Sequence, residues 1–264
     1  MDRDAVFEGI FHERKPFIIA GPCSVESEDQ IVSTAKFLHS AGVIILRGGA
    51  FKPRTSPASF QGLAEEGLRL LRKAKEETGM LVVTEVMDVE HIPLVSKYAD
   101  ILQIGSRNCQ NFSLLKAAGA TGIPILLKRG FGNTIEEFVQ ASSYISRQGN
   151  DRIILVERGI RTFENSMRFT LDVGAVPVLK ERTNYPVVVD PSHPAGKARY
   201  VKPLALAAVA AGADGLMIEV HPSPADALSD ADQQLTFQQF SDLIREVNAV
   251  LTTLGKVHVA AENR

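Results

Sequence analysis

The chain has 264 residues, 45% of them hydrophobic and 23% charged, and a formal net charge of −2 from 29 Lys plus Arg against 31 Asp plus Glu. This composition excludes a disordered or low-complexity chain, and the near balance of charge excludes a global basic field for nucleic acid or an anionic membrane. Two cysteines are too few for a disulfide scaffold, no apolar run reaches the roughly eighteen residues of a membrane span, and residues 1–15 lack an apolar signal stretch, so the expectation is a cytoplasmic protein with neither nucleic acid nor membrane as partner.

In chain order, β-type runs occur at 17–20, 43–46, 80–84, 101–104, 124–127, 153–156, 186–189 and 215–218. Each is continuously apolar, which suits parallel strands buried on both faces. Apolar residues at three- and four-residue spacing mark helices at 28–41, 59–77, 134–146, 164–172 and 201–211. A last amphipathic helix at 236–254 runs through Phe237, Phe240, Leu243, Ile244, Val247 and Leu251. The repeat averages roughly 28 residues, the length of one βα unit. Eight units predict an α/β protein whose one catalytic domain, 17–254, is a closed (β/α)8 TIM barrel. Residues 1–16 read as an N-terminal extension against the barrel bottom or an interface, and 255–264 as a C-terminal tail. An open doubly wound sheet is the other arrangement of such units. The number of runs favours the barrel, and no GxGxxG follows the first run.

Barrel active sites lie at the C-terminal ends of the strands. After the eight runs come Gly21-Pro22-Cys23, Arg47, Glu85, Gly105-Ser106-Arg107, Lys128-Arg129, Glu157-Arg158, Asp190-Pro191-Ser192-His193 and Glu219. The loops entering the strands carry turn residues instead, such as Ala41-Gly42, Thr121-Gly122 and Ala211-Gly212. Two chemical groups emerge. Arg47, Lys52, Arg54, Arg107, Lys128, Arg129, Arg158 and Arg161 gather cations at one face of a slightly acidic chain. Any one of them is ordinarily a surface ion pair; together they imply substrates with several negative charges. Cys23, His193, Glu219 and Asp230 could hold a divalent transition metal, since thiolate, imidazole and carboxylate are the donors such ions take. Taken singly, a buried Cys is usually packing and Asp230 could cap a turn. Convergence of runs one, seven and eight in a closed barrel is what joins them.

At these residues the sequence resembles the 3-deoxy-D-arabino-heptulosonate 7-phosphate (DAHP) synthases, in the compact barrel-only form of the class shared with 3-deoxy-octulosonate 8-phosphate synthase. The motifs are Ala20-Gly21-Pro22-Cys23-Ser24, Arg47-Gly48-Gly49-Ala50-Phe51-Lys52-Pro53-Arg54-Thr55, Gln103-Ile104-Gly105-Ser106-Arg107-Asn108, Leu127-Lys128-Arg129-Gly130, Asp190-Pro191-Ser192-His193, Glu219-Val220-His221-Pro222 and Ala227-Leu228-Ser229-Asp230. The resemblance runs from about residue 17 to about residue 240. It implies an aldol-type condensation of phosphoenolpyruvate with D-erythrose 4-phosphate and water, the first step of the shikimate pathway of aromatic amino-acid biosynthesis. By match to the family, Cys23, His193, Glu219 and Asp230 ligate one divalent ion of the Mn, Fe, Co or Zn class. Arg47, Lys52, Arg107, Lys128 and Arg158 bind phosphoenolpyruvate, with Ser106 helping at its phosphate. Arg54 and Thr55 take the phosphate of erythrose 4-phosphate. Lys52, Glu85 and Asp190 are the catalytic candidates. Ringed by cations, Lys52 is expected to have a depressed pKa and to give its proton to the aldehyde oxygen. Glu85 and a metal-bound water both fit the group that activates water.

The family precedent further implies a homotetramer, and the final helix suggests association with a separate chorismate mutase. No ferredoxin-like segment is readable, so little or no feedback inhibition by Phe or Tyr is expected. Cys109 follows Arg107-Asn108 near the barrel mouth; a disulfide with Cys23 is conceivable, and a packed thiol is the plainer reading. Two rivals stand. The sister octulosonate synthase acts on arabinose 5-phosphate and usually reads Lys-Ala-Asn where this chain has Lys52-Pro53-Arg54-Thr55. A catalytically silent barrel acting as a scaffold would be expected to have lost part of the metal or cationic set, and none is missing.

Overall fold

The apolar runs form eight parallel strands that close in chain order, β1 (Phe17–Gly21), β2 (Ile45–Arg47), β3 (Leu81–Glu85), β4 (Ile101–Ile104), β5 (Ile125–Lys128), β6 (Ile153–Glu157), β7 (Val187–Val189) and β8 (Gly215–Glu219), with β8 pairing back onto β1. This is a computed structural model, and it describes residues 3–52 and 60–259. Around the barrel lie α1 (Arg3–Phe11), α2 (Glu28–Ser40), α3 (Glu65–Thr78), α4 (Ile92–Val95), α5 (Phe112–Gly119), α6 (Ile135–Ser146), α7 (Ala175–Arg182), α8 (Ser192–Ala195), α9 (Ala198–Ala210) and α10 (Phe237–Thr253). The (β/α)8 barrel expected from the runs is the observed fold.

Because side chains alternate along a strand, each strand feeds two cores. Phe17, Ile19, Ile45, Leu81, Val83, Ile101, Leu126, Ile154, Val156, Val188 and Met217 pack together inside the barrel. The intervening residues, among them Ile18, Leu46, Val82, Leu102, Leu127, Leu155, Val187 and Ile218, pack outward under the helices. The bottom is closed by α1, which adds Phe7 and Ile10 to the inner core. Two buried aspartates brace the same end. Asp100 accepts from Val82 N at 2.9 Å and from Lys75 at 2.7 Å, while Asp214 accepts from Val187 N at 2.9 Å and from Lys180 at 2.5 Å.

The predicted helix at 164–172 is not one. That stretch is a loop in which the Glu164 carboxylate accepts from the backbones of Asn165 and Ser166, and Ile160 bridges Thr170. Side chains that bond nearby backbone compete with helix formation, and the helix of this unit is α7 instead. Helices α1, α4, α5 and α8 lay outside the predicted set. The predicted start of the third helix at residue 59 lies outside the described residues, and α3 begins at Glu65.

Candidate active site

The site is the continuation of the inner core. On each strand the inward series ends in a small or apolar residue, and its next member is a polar or small group at the mouth: Gly21 after Ile19, Arg47 after Ile45, Glu85 after Val83, Lys128 after Leu126, Arg158 after Val156, Asp190 after Val188 and Glu219 after Met217. Arg47, Lys128, Arg158, Asp190 and Glu219 are all buried. On β4 the inward residue after Ile101 is Gln103, which donates to Glu85 Oε2 at 3.3 Å, and Gly105 just beyond the strand leaves room for the Glu85 carboxylate. A Cβ would stand 2.0 Å from Glu85 Oε1.

The four proposed metal donors gather on one side. One ligand atom each from Cys23, Glu219 and Asp230 lies within 4.8 Å of the others, with Cys23 Sγ 3.4 Å from Asp230 Oδ2. His193 stands beside this trio, its Nε2 3.6 Å from Glu219 Oε1. His193 Nδ1 is 2.6 Å from Asp190 Oδ2. A carboxylate on Nδ1 fixes the proton there and turns the Nε2 lone pair toward Glu219, the second-sphere arrangement of a metal-bound imidazole. Burial pushes the His193 pKa down, which keeps the ring neutral and able to ligate. Burial, with Glu219 adjacent, pushes the Cys23 thiol up to about 12. The donor chemistry therefore fits a divalent ion that displaces the thiol proton. Asp230 is held at φ 46° and ψ 40°, a left-handed conformation that a non-glycine residue adopts at a cost.

Cations contact these same groups and Asp190. Arg47 donates to Glu219 Oε1 at 2.6 Å. Lys128 donates to Asp190 Oδ2 at 2.7 Å. Lys52 reaches Cys23 Sγ at 3.0 Å and Cys23 O at 3.1 Å. Burial works against the Asp190 carboxylate, but His193 and Lys128 outweigh it and hold Asp190 well below the usual range. For Glu85 burial wins over the surrounding cations, and its carboxyl is pushed up. Ser106 and Arg107 form a short turn after β4 and line a cleft of about 560 Å³ with Phe131 and Arg161.

A family model described as the DAHP synthetase I family matches residues 6–254. The chain belongs to that family. It is 54% identical over 238 residues to the phospho-2-dehydro-3-deoxyheptonate aldolase of Thermotoga maritima, covering 90% of this chain and 70% of the relative. It is 33% identical over 247 residues to a 2-dehydro-3-deoxyphosphooctonate aldolase of Acidithiobacillus ferrooxidans, covering 87% of each. The crystal structure of the T. maritima DAHP synthase superposes with a TM-score of 0.89 at 52% identity, over 92% of this chain and 70% of that one. A truncated form of the same T. maritima enzyme gives a TM-score of 0.85 at 49% identity and covers 88% of that chain.

Two sequence expectations change. Arg129 does not face the site with Lys128. It has the outward parity of Leu127, and its Nη1 donates to Glu157 Oε2 and Asp172 Oδ2, each at 2.8 Å, behind the barrel wall. Lys52 is not depressed: burial disfavours its ammonium, but Cys23 and Glu219 raise its pKa. The lowered lysine is Lys128, where burial and Arg47 outweigh Asp190. Arg54 and Thr55 lie outside the described residues. Both Cys23 and Cys109 are free and buried, with the Cys109 thiol pushed by burial up to about 11.

Sequence reading missed the residues that hold the donors. Gln233 donates to Glu219 Oε2 at 2.6 Å and accepts from Arg168 at 2.9 Å, and Arg168 also pairs with Asp230 at 3.3 Å. Gln234 accepts from Cys23 N at 3.0 Å. The adjacent pair Gln233-Gln234, three residues beyond Asp230, was the available signal. Two amides in a loop otherwise carry no chemistry that marks them.

Proposed function

We infer that this site condenses phosphoenolpyruvate with D-erythrose 4-phosphate and water, giving 3-deoxy-D-arabino-heptulosonate 7-phosphate and phosphate. The carrying observation is the meeting of a Cys–Glu–Asp donor set, a cationic wall and Lys52 at the C-terminal ends of the strands and in the loops that follow them, in a chain 54% identical to a phospho-2-dehydro-3-deoxyheptonate aldolase.

In this reading Arg47, Lys128 and Arg158, with Ser106 and Arg107, bind the phosphate and carboxylate of phosphoenolpyruvate and neutralise its charge. Lys52-Pro53-Arg54-Thr55 receives the aldose phosphate, with Arg54 and Thr55 at its phosphate. Cys23, His193, Glu219 and Asp230 hold one divalent ion, which when bound supplies Lewis acidity at the aldehyde oxygen. Carbon 3 of phosphoenolpyruvate bonds to the aldehyde carbon, and the aldehyde oxygen takes its proton from Lys52 Nζ, which the site keeps charged. Water then adds at carbon 2, and Glu85, more basic than an ordinary carboxylate, accepts its proton. The carbon 2 hydroxyl then passes its proton to the departing phosphate as the bond from carbon 2 to the phosphate oxygen breaks, which leaves the ketone and inorganic phosphate. Asp190 acts beside these groups by fixing both His193 and Lys128.

The sister reaction with arabinose 5-phosphate draws on relatives at 33% identity, and the gap from 54% favours the four-carbon sugar. Mass spectrometry of the product formed with each aldose tests this. A seven-carbon product made much faster than any eight-carbon one is expected; preference for arabinose 5-phosphate would move the chain to the sister reaction. Among the described residues no helix is long and apolar enough to cross a membrane. We place the protein in the cytoplasm as a homotetramer, which sedimentation velocity checks. Association with a separate chorismate mutase through the outer face of α10 is checked by co-sedimentation at micromolar concentration.

A further inference from the structure

Two phenylalanines stand behind the cations and take no part in the chemistry above. Phe131 lies just beyond β5 and Phe169 in the loop between β6 and α7. Their rings stack, with centroids 5.3 Å apart and 6° between planes. The two loops are locked together, since Arg161 N donates to Phe131 O at 2.7 Å and Ile160 bridges Thr170. Around this pair the guanidiniums converge. Arg158 Cζ lies 4.1 Å from the Phe169 centroid and 5.0 Å from that of Phe131. Arg161 and Arg107 stand 5.1 and 5.5 Å from the Phe131 centroid.

Arg158 is the informative member. It is only 3% exposed, and among the described residues its Nε has no hydrogen-bond partner and its Nη1 makes only a long 3.4 Å bond to Gly159 O. Its neighbour in sequence, Glu157, is committed to Arg129 on the other side of the wall. Asp190, Glu157 and Glu219 favour the buried Arg158 cation without bonding it among the described residues, and the aromatic faces add to this through their negative quadrupole. The choice of partner matters for binding. A carboxylate would occupy the N–H edge of the guanidinium and compete with an incoming anion. A ring takes none of the N–H groups as a bonded partner and leaves them available.

We propose that the stacked Phe131–Phe169 pair is a positioning platform that holds Arg158 edge-on to the phosphoenolpyruvate anion. The proposal rests on the reading that Arg158 binds phosphoenolpyruvate. It predicts that ring face, not bulk, is what counts. In the metal-loaded full chain, Phe131→Leu and Phe169→Leu each raise KM for phosphoenolpyruvate roughly tenfold. Both leave kcat and KM for the aldose phosphate within about twofold, while Phe131→Tyr stays near wild type. Calorimetric titration with phosphoenolpyruvate gives the same order, and circular dichroism confirms that each variant is folded. Unchanged phosphoenolpyruvate affinity in both leucine variants overturns the platform, as does a tyrosine variant as weak as leucine. Arg158→Ala separates the two ways of failing. If it weakens phosphoenolpyruvate binding while the leucine variants do not, the platform alone is wrong; if Arg158→Ala changes nothing, the substrate assignment of Arg158 falls with it.

Discussion

Lys128 and Arg129 are neighbours in sequence but point to opposite sides of one strand end. Lys128 shares the inward parity of Leu126 and meets Asp190, whereas Arg129 shares the outward parity of Leu127 and meets Glu157 and Asp172. Glu157 and Arg158 divide in the same way. The outward pair is a buried structural bridge, since Glu157 is fully buried and accepts from Gly159 N at 2.7 Å as well. Arg129→Met would strand that carboxylate, and the expected loss is about 3–5 kcal/mol in urea unfolding. A loss under about 1 kcal/mol would show that Glu157 is satisfied without it. The same buried shell sets a pH dependence through Cys109, whose thiol is raised from 9.0 to about 11 by burial. A group whose folded pKa lies above its unfolded one adds stability below the unfolded value and loses it as pH rises through the folded one. The stability gap between wild type and Cys109→Ala should therefore narrow between pH 9 and 11, and a gap that stays constant would contradict this. Residue types at the strand ends were readable from sequence because charge is rare at the end of an apolar run. Which charge enters the site needed the strand register, and a shift of one residue reverses the answer.

Strands, more than helices, carried the readable part of the fold. A strand buried on both faces leaves a continuous apolar signature, so all eight were found, with no end displaced by more than two residues. Those displacements had meaning, because Gly21, Arg47, Glu85, Lys128, Glu157 and Glu219 are the last residues of their strands rather than the first of their loops. Helices were harder. Met167, Phe169 and Leu171 lend 164–172 apolar content without helical contacts, and Phe169 is spent instead on stacking against Phe131. The loops carrying Gln233 and Gln234 left no pattern at all, since amides that position ligands resemble ordinary solvated polar residues. Strand-to-strand fit also predicts one sharp intolerance. Gly105→Ala, just beyond β4, would put a methyl 2.0 Å from the Glu85 carboxylate, whose flexible end must move aside. The expected outcome is a fall in kcat of tenfold or more with little change in melting temperature. Near-normal turnover would remove Glu85 from the reaction.

Closure of the barrel is what turns separate strand ends into one site. Cys23 follows β1, His193 follows β7, Glu219 ends β8, and Asp230 lies in the loop beyond it, so pairing of β8 with both β1 and β7 brings the donors together. The cations at the ends of β2, β5 and β6 meet that donor set, with Arg47 bonded to Glu219 and Lys128 to Asp190. Ligand binding to such a site stabilises the folded molecule by about 2.7 kcal/mol at a hundredfold excess over Kd, so Mn²⁺ should raise the melting temperature of wild type but not of Cys23→Ala. The most direct test of the whole account is phosphate release from phosphoenolpyruvate and erythrose 4-phosphate by metal-stripped protein, before and after Mn²⁺ is added. Turnover that appears only with the metal, and is abolished in Cys23→Ala while that variant stays folded, is the predicted result. Equal turnover without metal, or full activity in Cys23→Ala, would contradict it.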